Sequence, residues 1–150
     1  MMLERIKAKL NQPKSLFMGE ESAMSSAVLI PLVEKDGELH VLFEVRAQNM
    51  RKQPGDCSFP GGRIDDGETP RDAVIRETCE ELGVKRTAIE IMDDLSPYVM
   101  SPNFIVYPFV GVLRDFESLH PNPDEVEEVF TVPLSWLMTH EPELHIITLQ

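Results

Sequence analysis

The stretch Phe59–Val84 reads FPGGRIDDGETPRDAVIRETCEELGV and places a glycine pair and a turn ahead of a carboxylate-rich segment. Thr69 suits the N-cap of a helix, because its hydroxyl can accept from a free backbone amide, and Pro70 suits the first turn. Gly83 suits the end of the same helix, because glycine adopts the left-handed conformation at low cost. The sequence therefore predicts a helix over residues 70–82.

Three carboxylates lie on one side of this predicted helix: Glu77, Glu80 and Glu81. At about 100° per residue they fall within an arc of about 100°. Acidic helix faces are common on solvated surfaces, so the spacing alone leaves that alternative open. The Gly61–Gly62 turn and Arg76 favour a metal site, because glycine leaves a backbone carbonyl accessible and a guanidinium can orient a carboxylate. Hard divalent cations prefer such oxygen ligands.

The spacing of glycine and polar residues in this stretch resembles the Nudix box of the Nudix hydrolases. The matching positions are Gly62, Glu68, Arg76, Glu77, Glu80, Glu81, Gly83 and Val84. Thr78 departs from the family pattern, which has a bulky aliphatic residue there. The resemblance implies an α/β/α sandwich with a mixed β-sheet and a catalytic loop–helix–loop. It also implies a pyrophosphohydrolase that uses Mg²⁺ or Mn²⁺.

The resemblance also implies a role for each polar residue of the box. The implied metal ligands are Glu77, Glu80 and Glu81, with the Gly62 carbonyl as a candidate further ligand. Arg76 would hold the glutamates in position. Glu68 would orient Arg76 and the helix, or contact an outer ion.

The general base of the implied reaction is left open between a helix carboxylate and an acid in a later loop. The later acids are Asp124, Glu125, Glu127 and Glu128, and Glu125 is the favoured candidate among them. The alternative is that these acids only form a solvated loop and strand edge.

A second stretch, Leu42–Gly62, resembles the signature of the coenzyme A pyrophosphatase branch of the family. The matching positions are Arg46, Arg51, Gly55 and Phe59 to Gly62; the departures are Glu44, Ala47 and Cys57, where Thr, Ser and Val are usual. The resemblance implies hydrolysis of coenzyme A or its thioesters to 3′,5′-ADP and 4′-phosphopantetheine or its acyl derivative.

Three basic residues in this second stretch are the candidate substrate-binding residues: Arg46, Arg51 and Lys52. Guanidinium groups suit phosphate oxygens, and coenzyme A carries a 3′-phosphate besides its diphosphate. The alternative is a structural loop held by salt bridges.

Composition bounds the protein class. The 150 residues are expected to form one domain, and the net charge of −12 argues against binding to a nucleic-acid backbone. No apolar run reaches the roughly 20 residues needed to span a bilayer. The two cysteines are expected to be free thiols in a reducing cytoplasm. The expected partner is a small nucleotide substrate, bound by a monomer or homodimer.

Alternating apolar patterns and turn residues predict the remaining elements. The predicted strands are 27–34, 39–46, 57–64, 88–99, 104–114 and 126–132; helices are predicted at 2–11 and 133–140, with a polar connection at 12–26 and a loop at 116–124. Strands on both sides of one long helix indicate an α/β or α+β fold. The segment HIITL near Gln150 is predicted to begin another strand, so the C-terminal end is expected either to close the core differently or to be shortened.

Two other functions remain open. The same metal-binding helix would serve hydrolysis of another nucleoside diphosphate derivative, such as ADP-ribose or NADH. A non-catalytic nucleotide-binding sensor module is the alternative from another class, although the intact set of acids argues against it.

Overall fold

A computed structural model describes residues 1–10 and 24–148 of the chain. The helices are α1 (Met2–Leu10), α2 (Pro70–Leu82) and α3 (Leu134–Thr139). The strands are β1 (Met24–Lys35), β2 (Glu38–Arg46), β3 (Cys57–Ser58), β4 (Gly61–Arg63), β5 (Ile89–Asp94), β6 (Tyr98–Ser101), β7 (Phe104–Leu113) and β8 (Val126–Pro133). Short 3₁₀ turns occupy Arg86–Ala88 and Phe116–Ser118.

The described strands form one mixed sheet around β1. Strand β1 runs parallel to β7 and antiparallel to β2 and β4, while β2 also carries β3 and β8 and β7 carries β5 and β6. Parallel strands are normally covered on both faces, and β1 is accordingly an apolar run. The predicted α/β class with a mixed sheet is confirmed.

Helices cover both faces of the sheet. On one face, Val74 and Leu82 of α2 are fully buried in clusters with Leu29 and Leu42 of the sheet. On the other face, α1 packs its apolar side chains against a cluster that contains Leu32. This arrangement fixes α2 across the strands that carry the candidate site.

The predicted limits of α2 are confirmed at both ends. The Thr69 hydroxyl accepts from the amide of Asp72 at 3.1 Å, as an N-cap does. Gly83 has φ of +66° and its amide donates to the Cys79 carbonyl at 2.9 Å. Both signals act within one turn of the helix, which is why the sequence defines them.

Two predicted strands are wrong as single strands. The predicted strand 57–64 divides at Phe59–Pro60, because β3 pairs with β2 whereas β4 pairs with β1. The predicted strand 88–99 divides between β5 and β6, with Pro97 in the gap. Proline has no backbone amide to donate to a neighbouring strand, and the two divisions accordingly fall at Pro60 and at Pro97.

The ends of the chain differ from the prediction in part. Strand β1 begins at Met24, so residues 24–26 of the predicted connection are strand; residues 11–23 lie outside the described residues. Residues 145–148 are exposed and irregular, so the strand predicted there is wrong over those residues. Within the described part of the chain, the helices are too short or too polar to cross a bilayer.

Candidate metal centre

Helix α2 presents its carboxylates in two directions. Glu81 points toward the sheet and is 7% exposed, and the Glu77 side chain is 17% exposed. Glu80 lies on the outer side, with 54% of its side chain exposed. The three acids of the predicted metal site therefore do not share one environment.

The loop between β7 and β8 carries Glu125 and contacts the C-terminal turn of α2. The amides of His120 and Asn122 donate to the carbonyls of Leu82 and Glu81, each at 2.9 Å. The amide of Ala47 donates to the Glu125 carbonyl at 2.9 Å. The loop is thus held on the C-terminal turn of α2 at one end and on the end of β2 at the other.

Three carboxylates meet where this loop and α2 come together. One oxygen from each of Glu77, Glu81 and Glu125 lies within 4.8 Å of the others. Burial is the main cause that raises the pKa of Glu77 and of Glu81 above the usual range, and the neighbouring acids add to it. Hard carboxylate oxygens at this separation fit a magnesium or manganese ion.

The glycine pair gives these carboxylates the space they occupy. A Cβ atom on Gly62 would lie 2.5 Å from the Glu77 carboxyl carbon, so a larger residue there would displace that side chain. The Gly61 amide lies 3.4 Å from Oε1 of Glu81 and donates to it. The backbone of β4 therefore forms one wall of the site.

The β1–β4 ladder distinguishes the two glycine carbonyls. The Leu29 amide donates to the Pro60 carbonyl, and the Ile64 amide donates to the Ser25 carbonyl. These two bonds mark the hydrogen-bonded residue pairs on either side of the glycines. Because such pairs alternate along an antiparallel ladder, the Gly62 carbonyl points at β1 and the Gly61 carbonyl points away from it. The register therefore favours Gly61 over the predicted Gly62 as the glycine whose carbonyl faces the carboxylates.

Arg76 connects the predicted supporting residue to the site. Its Nε and Nη2 atoms donate to the two oxygens of Glu68 at 2.8 and 2.9 Å. Its Nη1 donates to Glu77 at 2.9 Å and to Glu80 at 3.4 Å. The structure thus places Glu80 on Arg76, outside the group formed by Glu77, Glu81 and Glu125.

The bidentate contact to Arg76 holds the pKa of Glu68 at about 2, below its ordinary value of 4.5. A lowered folded-state pKa contributes stability above the unfolded-state value and loses it as the pH falls through the folded value. We therefore expect the melting temperature of the wild type to exceed that of Glu68→Gln above about pH 4.5, with the difference shrinking toward pH 2. Calorimetry over this range checks it, and a difference independent of pH would contradict it.

Of the predicted substrate-binding residues, Arg46 is the last residue of β2, and Arg51 and Lys52 lie in the loop between β2 and β3. Arg46 donates from Nε to the Lys52 carbonyl at 3.2 Å, and its backbone bonds Asp56 and Gly55. Arg51 and Lys52 have exposed side chains. The loop starts beside Glu125, because the amide of Ala47 donates to the backbone carbonyl of that residue.

Sequence reasoning missed Glu44. This residue of β2 is 2% exposed and hydrogen-bonds Glu81. The available signal was its position two residues after the buried Leu42, on the same side of an alternating strand. Burial is the largest cause that raises the pKa of Glu44.

Residues 24–148 match the model of the NUDIX domain family, and the chain belongs to the Nudix family. The family assignment made from the box is therefore confirmed. A mouse protein named peroxisomal coenzyme A diphosphatase NUDT7 is 38% identical over 118 residues, covering 78% of this chain and 50% of that protein. A Caenorhabditis elegans protein named Nudix hydrolase 3 is 44% identical over 121 residues, again 78% of this chain and 50% of its own length.

Solved structures give the same fold. The binary complex of a C. elegans Ap4A hydrolase has a TM-score of 0.62 at 20% identity, and covers 77% of this chain and 83% of its own. The chain spans about half the length of the two curated relatives described above.

Proposed function

We propose that the chain is a pyrophosphohydrolase that cleaves the diphosphate linkage of coenzyme A or its thioesters. The products would be 3′,5′-ADP and 4′-phosphopantetheine or its acyl derivative. The observation that carries the proposal is the meeting of Glu77, Glu81 and Glu125 within 4.8 Å in a chain of the Nudix family. The substrate is supported by the signature in residues 42–62 and by the name of the mouse relative.

The site would hold Mg²⁺ or Mn²⁺ through Glu77 and Glu81, with the Gly61 carbonyl as the backbone ligand in place of Gly62 and with Glu125 beside the ion. Such an ion neutralises charge on phosphoryl oxygens and makes a bound water nucleophilic. Glu80 remains a proposed ligand on the exposed side, where its one described partner is Arg76.

In this proposal Arg76 and Glu68 position a metal ligand, and Glu125 acts on the attacking water. Arg76 holds Glu77 in one orientation through the 2.9 Å contact, and Glu68 holds Arg76. Glu125 is the proposed general base, because it comes from a separate loop and its side chain is not tied to Arg76. A base must lie within reach of the water it deprotonates, and the shared carboxylate group provides that proximity.

Arg46, together with Arg51 and Lys52 of the loop between β2 and β3, would bind the phosphates of the substrate. Arg46 is fixed by its contact with the Lys52 carbonyl, whereas the Arg51 and Lys52 side chains extend into solvent. We assign Arg51 and Lys52 to the 3′-phosphate and Arg46 to the diphosphate. The one-domain organisation, the cytoplasmic location and the monomeric or homodimeric state stay predictions.

Initial rates on a set of substrates test the assignment. Coenzyme A, dephospho-coenzyme A, ADP-ribose and NADH are each incubated with the chain in Mg²⁺, in Mn²⁺ and in EDTA. The proposal expects metal-dependent release of 3′,5′-ADP from coenzyme A, and slower turnover of the other three. Preferential cleavage of ADP-ribose or NADH would overturn the assignment of coenzyme A as the substrate. If the folded chain cleaves none of the four compounds, a nucleotide-binding sensor would be favoured.

Arg51→Ala is expected to raise KM for coenzyme A by about tenfold while leaving KM for dephospho-coenzyme A nearly unchanged, since only the former carries the 3′-phosphate. The matched control is Arg114→Ala, which removes an exposed arginine paired with Glu90. Steady-state kinetics on both substrates check the prediction. Equal increases in the two KM values would remove Arg51 from the 3′-phosphate site.

A further inference from the structure

Glu44 is a buried acid whose carboxyl group is only half satisfied. It lies on β2 at 2% exposure and shares a hydrogen bond with Glu81. Its Oε1 atom has no hydrogen-bond partner among the described residues, so the contact with Glu81 uses the other oxygen. A buried polar atom without a partner costs free energy, and its retention calls for an explanation.

The charges around Glu44 are predominantly negative. Glu125 and Glu77 both interact unfavourably with its carboxylate, and Arg46 is the favourable neighbour. The Arg46 side chain also donates to the Lys52 carbonyl, so its guanidinium is shared with the loop. Glu44 therefore adds an acid beside Glu81, outside the group of three whose oxygens lie within 4.8 Å of one another.

Two interpretations account for this arrangement. In one, Glu44 and Glu81 are a buried acid pair that shares a proton and has only a structural role. In the other, the free oxygen serves a cation that binds beside Glu81. The second also accounts for an unpartnered oxygen next to the acidic group, because a divalent ion takes several oxygen ligands.

We propose that Glu44 is a fourth carboxylate of the divalent-cation site and contributes its free oxygen to cation binding beside Glu81. This inference rests on the proposed metal-dependent function. It adds a residue of β2, outside the helix that carries most of the acids, so the site would join β2, α2 and the loop that carries Glu125.

The test is Mn²⁺ binding to the full chain, measured by electron paramagnetic resonance and titration calorimetry. Glu44→Gln keeps the shape of the side chain and removes its charge. We expect its Mn²⁺ dissociation constant to rise at least about tenfold, in the range that residues around metal sites usually contribute. The melting temperature of the metal-free variant should be equal to or above that of the wild type, because a buried charge next to like charges has been removed.

The matched control is Glu38→Gln, which removes an exposed acid from the same strand and should leave Mn²⁺ binding unchanged. An unchanged Mn²⁺ affinity in Glu44→Gln would overturn the inference while leaving the proposed function intact. Absence of Mn²⁺ binding in the wild type would instead overturn the proposed metal site and this inference with it. If Glu44→Gln does not fold, Glu44→Thr is judged by the same criteria.

Discussion

Replacing Glu81 by glutamine should lower kcat for coenzyme A by at least about 10³-fold, equal to about 4 kcal/mol of lost transition-state stabilisation. Glu81 lies at the centre of the site: it contacts Glu44 and Gly61 and belongs to the group with Glu77 and Glu125. Its substitution therefore removes a proposed ligand and disturbs its neighbours. The measurement is single-turnover kinetics at saturating Mg²⁺.

The same substitution should not destabilise the metal-free chain. Burial and the Glu44 contact raise the pKa of Glu81, so ionising this carboxyl in the folded state is unfavourable without a cation. A neutral glutamine preserves a hydrogen bond to Glu44, and the melting temperature in EDTA should be unchanged or higher. Loss of stability parallel to the loss of activity would show that Glu81 acts on the fold instead.

Glu80→Gln is the internal comparison for this prediction, because it removes an acid from the same helix one residue earlier. Its side chain is 54% exposed and lies outside the group of three. We expect a loss of about tenfold, the size typical of residues around a metal site. Equal losses for Glu80→Gln and Glu81→Gln would contradict the division of the acids seen in the structure.

Arg76→Lys should lower kcat by about 10²-fold and should lower the free energy of unfolding by no more than about 1 kcal/mol. A lysine ammonium cannot reproduce the two parallel contacts to Glu68 and also reach Glu77. Glu77 would then lose its fixed orientation while its charge is retained. Kinetics and chemical denaturation measure the two effects.

Arg71→Lys is the matched control, since Arg71 is exposed and lies near the start of α2. It should leave kcat unchanged and should change the free energy of unfolding by no more than about 0.5 kcal/mol. Full activity in Arg76→Lys would show that Glu77 is oriented by its surroundings and not by the guanidinium.

The sequence predicted α2 to the residue because its signals are local. Thr69 and Gly83 act within one turn of the backbone they cap, and the pattern needs no information about the sheet. The strand predicted at 57–64 failed for the opposite reason. Its two halves pair with different partners, β2 and β1, and partner choice is a long-range property.

The residues of the candidate site show the same difference between local and long-range information. The family resemblance implied that Glu68 orients Arg76 or contacts an outer ion, and the structure shows the contact with Arg76 at 2.8 Å. Glu125 could only be one of several acids in the sequence, because hydrogen bonds of its loop to α2 and to Ala47 decide its position. Glu44 was missed, since nothing local shows that β2 passes under Glu81.

The central claim is metal-dependent hydrolysis of coenzyme A at the carboxylate group, and product analysis tests it most directly. Coenzyme A is incubated with the wild type and with Glu81→Gln, each with Mg²⁺ or with EDTA, and the products are resolved by mass spectrometry. We predict equimolar 3′,5′-ADP and 4′-phosphopantetheine from the wild type with Mg²⁺ alone. Intact coenzyme A in that sample, or equal product from folded Glu81→Gln, would contradict the claim.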